Sequence, residues 1–90
     1  MQKEKLEDLA AFIRENRSSE GNFEKLLAKM EDAATDNETK EVLKITPEDI
    51  RTKADEYRKA KETGSTGWPE FEKFVSEFEK AVMEARRVTE

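Results

Sequence analysis

From Gly67 to Glu90 the chain carries Trp68, Phe71, Phe74, Val75, Phe78, Val82 and Ala85, and apart from the adjacent Phe74 and Val75 each stands three or four residues from the next. That spacing follows the 3.6-residue period of one helical face and predicts a single C-terminal helix with an aromatic stripe. A stripe of that width must be covered, either by the rest of the chain or by a partner. Without it the remaining segments have too little to pack on, so the stripe reads as core, with Phe74 and Phe78 among its buried members.

The rest of the sequence supplies the cover. Leu6, Leu9, Ala10 and Ile13, with Phe12 at the border, mark a first helix over about Lys3 to Arg17. Asn22 stands as N-cap before a second helix in which Phe23, Leu26, Leu27 and Met30 follow the i, i+3, i+4, i+7 pattern. Thr35 and Glu38 have capping-box spacing and predict a short third helix to about Lys44, with Val42 and Leu43 turned inward. Thr46-Pro47-Glu48-Asp49 is a stronger start: Thr46 caps, Pro47 lacks only an N–H the first turn does not need, and Ile45 with Ile50 forms a hydrophobic staple. The fourth helix, to about Glu62, has only Ile50, Ala54, Tyr57 and Ala60 as a stripe, so most of its circumference meets water. Thr63 to Gly67 is a flexible loop, and Pro69 fits only the first turn of the last helix.

These elements predict an all-α single domain over residues 1–90, a compact bundle of four to five short helices, antiparallel to partly orthogonal, with the C-terminal helix central. Short connections favour antiparallel neighbours.

Composition narrows the chemistry. With no cysteine and no histidine among 90 residues, disulfides, thiolate nucleophiles, Cys or His zinc sites and imidazole proton transfer are excluded. The net charge is −5, and no segment is basic. Nucleic-acid phosphates and anionic membranes therefore find no electrostatic footprint, and neither is expected as a partner. The N-terminal residues have no signal-peptide pattern, and no apolar run reaches membrane-spanning length; a natural version of the chain is expected in the cytoplasm.

Candidate sites are weighed against plain helix surface. Glu31-Asp32, Glu48-Asp49 and Asp55-Glu56 are adjacent pairs whose side chains diverge around a helix, so they do not converge as a general acid and its partner. Asp32 to Leu43 fails as a calcium loop at Ala34, Asn37 and Leu43. A helix-turn-helix running from Lys40 to Lys44 through Ile45-Thr46 into a recognition helix at Pro47 would lack the usual turn glycine and aim Glu48 and Asp49 at DNA. No enzyme, metal or cofactor is expected. The candidate protein-binding residues are Trp68 and Phe71, aromatic and beside a Gly-rich loop at a helix start.

Ile45-Thr46-Pro47-Glu48-Asp49-Ile50-Arg51 through Tyr57-Arg58-Lys59 resembles the opening helix of the small secreted WXG-type helical hairpin proteins. Trp68-Pro69-Glu70 places Glu where their Trp-x-Gly turn has Gly, so nothing is carried over. Two functions of different class are expected from the residues themselves. One is an engineered or de novo helical bundle whose purpose is its fold or a presented binding face, monomeric and needing no partner, motivated by its Glu/Lys richness and by rule-like caps and charge placement. The other is a natural acidic protein-binding module, an inhibitor or adaptor, acting through the Trp68 end or the acidic stretch 19–36.

Overall fold

The computed structural model describes residues 2–88, and among them it contains five α-helices: α1 (Gln2–Asn16), α2 (Phe23–Thr35), α3 (Lys40–Leu43), α4 (Pro47–Glu62) and α5 (Trp68–Val88). A single 3₁₀ turn, Glu20–Asn22, leads into α2. Thr89 and Glu90, assigned to the last helix by its sequence pattern, lie outside the described residues.

The ion pairs between helices fix their directions. Glu7 and Arg14 of α1, and Arg17 just past its end, meet Arg86, Glu79 and Glu79 again on α5, so residue numbers rise along one side as they fall along the other. Glu20, Glu24 and Glu31 meet Lys61, Arg58 and Arg51 in the same descending order, which makes α2 antiparallel to α4. The short loop 63–67 turns α4 back along α5, and Lys5 reaches Asp36 from the far end of α1. The four long helices thus form an antiparallel ring in the order α1, α2, α4, α5, with α3 as a one-turn bridge packed on α2 and α5. The longest helix, α5, packs on α1, α3 and α4, and its Phe71 reaches Phe23 of α2.

The stripe on α5 divides by angle. At 100° per residue, Phe71, Val75, Phe78, Val82 and Ala85 fall within about 40° of its centre, whereas Trp68 and Phe74 fall about 60° off on opposite sides. The five central residues are buried. Trp68 and Phe74 are only partly buried at the margins, so Phe74 does not share the full core burial expected from spacing alone.

Two expected caps change hands. Thr35 does not open α3; it is the last residue of α2, and its Oγ1 donates back to the carbonyls of Glu31 and Asp32 at 2.9 and 3.2 Å. Asp36 takes the turn instead, its Oδ2 accepting from the backbone N–H groups of Glu38 and Thr39 at 3.0 and 3.1 Å. An acceptor one residue later reaches the free N–H groups without leaving the helix early. Asn22 precedes α2 as expected, but its amide donates to Asn16 Oδ1 rather than capping the helix. Thr46 and Asp49 form the reciprocal capping box in full.

Candidate functional site

Trp68 and Phe71 belong to an aromatic cluster at the end of the bundle where α2 begins and α4 turns into α5. Phe71 is its hub, with ring centroids 4.8 Å from Phe23, 5.7 Å from Tyr57, 5.7 Å from Trp68 and 6.3 Å from Phe74. The Phe23 pair is edge-on, an arrangement the ring quadrupoles favour. Only 2 % of Phe71 is exposed, so in the folded chain it has no surface to offer a partner. Trp68 lies at the rim, edge-on to Tyr57 at 5.8 Å. Its Nε1 is buried and makes no hydrogen bond, an unfulfilled donor of a kind that costs about 1–3 kcal/mol.

Charged side chains roof this cluster. The Tyr57 hydroxyl donates to Glu20 Oε2, and Lys61 Nζ donates to the same oxygen at 2.9 Å. Burial first, then the bond to Glu20, pushes the Tyr57 hydroxyl up to about 12. The hydrogen bonds from Tyr57 and Lys61 hold the Glu20 carboxyl below its ordinary value. Arg58 lies over the Phe23 ring at 5.3 Å and also reaches Glu24 at 3.2 Å. A tyrosine held protonated to that pH cannot act as a base near neutrality, and a carboxylate with two donors on one oxygen is poorly placed to take a proton.

A second polar arrangement joins α1 to α5. Glu79, 9 % exposed, accepts from Arg14 Nε at 3.2 Å and from Arg17 Nη1 at 3.1 Å, and the same Arg17 nitrogen donates to Ser76 Oγ at 3.2 Å. The buried acid is paired with two guanidiniums, one on α1 and one just past its end, as a carboxylate taken out of water requires. The periodicity of α5 carries one trace of this, since Glu79 falls four residues after Val75 at the edge of the apolar face. Its partners lie 62 and 65 residues away and are not readable from local pattern.

Several open grooves mark the surface of the bundle, two of them beside α1 and its end. One, about 360 Å³, runs between α1 and α2 over Leu9 and Ala33, with Asp8, Asp32, Asp36 and Lys29 on its rim. Asp36 already serves as the turn cap and as a partner of Lys5; burial pushes its carboxyl up, but the Lys5 bond and the backbone N–H groups of Glu38 and Thr39 together hold it below its ordinary value. The other, about 550 Å³, lies between Arg17 and the last turns of α5 around Met83. Among the described residues no group of three or more Asp or Glu side chains is placed to hold a metal ion, and no helix is long and apolar enough to cross a membrane.

No protein-family model, curated protein or solved structure matches this chain.

Proposed function

We propose that this is an engineered, non-catalytic helical-bundle protein, monomeric, whose purpose is its fold or the presentation of a face added to that fold. The observation that carries the reading is how little apolar surface is left over. Among the described residues the only exposed large hydrophobics are Met83, at 38 %, and Val88, at 68 %. A module that binds through an apolar face presents a contiguous patch of several hundred Å², whereas the other large apolar side chains that reach the surface, Phe12, Val42, Ile45, Trp68 and Phe74, are each partly buried against the core.

Local order supports the same reading. Thr46 and Asp49 complete their capping box, α4 opens on Glu48 and Asp49 and closes on Lys59 and Lys61, and α5 opens on Glu70 and closes on Arg86 and Arg87. Caps and charges arranged this way follow the helix dipole as a designer would place them. The non-catalytic part rests on the Tyr57–Glu20 chemistry and on a composition without Cys or His.

A natural acidic module, an inhibitor or adaptor, is favoured by three irregularities. Lys44 closes α3 at φ 61, a left-handed conformation usually given to glycine, a 3₁₀ turn interrupts the approach to α2, and the Trp68 donor is unpaired. Idealised backbones and cores leave such features out. Thermal unfolding followed by circular dichroism separates the two. A midpoint above about 90 °C is expected for the engineered bundle, and an ordinary midpoint of about 45–65 °C would overturn it in favour of the natural module.

A further inference from the structure

We draw no further inference here: the strongest candidate, the groove between the end of α1 and the last turns of α5 around the exposed Met83, has its arginines already paired with Glu7, Glu79 and Glu84, and nothing in the structure shows what covers it.

Discussion

The hydroxyl of Tyr57 and the carboxylate of Glu20, 37 positions apart in sequence, share a hydrogen bond that fastens the 3₁₀ turn before α2 to the side of α4. Tyr57 is the one tyrosine in the chain, so tyrosinate absorbance reports on it alone. Its ionisation in the folded protein is expected near pH 12, against an ordinary value of 10.0. The raised value means the unfolded chain loses this proton first. The associated stability is therefore full below about pH 10 and is lost as pH rises towards the folded value. Glu20 acts in the opposite range: its lowered value gives a contribution present above 4.5 and lost as pH falls through the folded value. Tyr57→Phe should flatten the alkaline loss, and an ionisation midpoint near 10 in the folded wild type would mean the hydroxyl faces water.

The position of Phe71 at the hub of five rings sets a ranking of core substitutions. Phe71→Ala and Phe78→Ala should each cost roughly 3–5 kcal/mol in urea unfolding, because both rings are almost wholly enclosed. Phe74→Ala, at the margin of the stripe, should cost about 1–2 kcal/mol, since part of its ring already meets water. A loss below about 1 kcal/mol for Phe71→Ala would move that residue from the core to a binding face.

Gly67 and Gly64 both have positive φ, 65° and 88°, yet they differ in surroundings. A Cβ on Gly67 would stand 2.8 Å from the Cβ of Ala60 and 3.3 Å from Tyr57, whereas one on Gly64 meets nothing within 4 Å. Gly64→Ala should cost about 1–2 kcal/mol, the conformational strain alone. Gly67→Ala adds overpacking and should lose at least about 1 kcal/mol more. Equal losses in denaturant titrations would mean that α4 and α5 do not approach this closely at the loop.

Cap substitutions test the turn between α2 and α3 and the start of α4. Thr46→Ala and Asp36→Ala should each cost about 0.5–2 kcal/mol, as each removes an acceptor for backbone N–H groups. Thr35→Ala should stay within about 0.5 kcal/mol of neutral, because its exposed hydroxyl only bonds back within its own helix. A larger loss at Thr35 than at Asp36 would return the cap to Thr35.

Where the sequence could be read and where it could not follows from the range of each interaction. The Thr46–Asp49 cap and the α5 stripe are legible because every participant lies within a few turns of one helix. Thr35 misled because two possible caps stand side by side, and the choice between them depends on where α2 stops. At that point the buried Thr39 hydroxyl bonds the Ala33 carbonyl at 2.6 Å. Trp68 and Phe71 look alike as aromatics near a loop, but their angular positions on α5 place one at the rim and the other in the centre. Neither Glu20 nor Glu79 carries a local mark of its partner, since a solvated acid and one held by a distant tyrosine or arginine look the same until the helices are packed.

The most direct test of whether the aromatic stripe is covered by the chain's own helices is thermal unfolding at two protein concentrations about a hundredfold apart. For a monomer whose apolar face is its own core the midpoint should be the same at both. A midpoint that rises with concentration would show that another chain completes the face, and the self-contained bundle would be wrong.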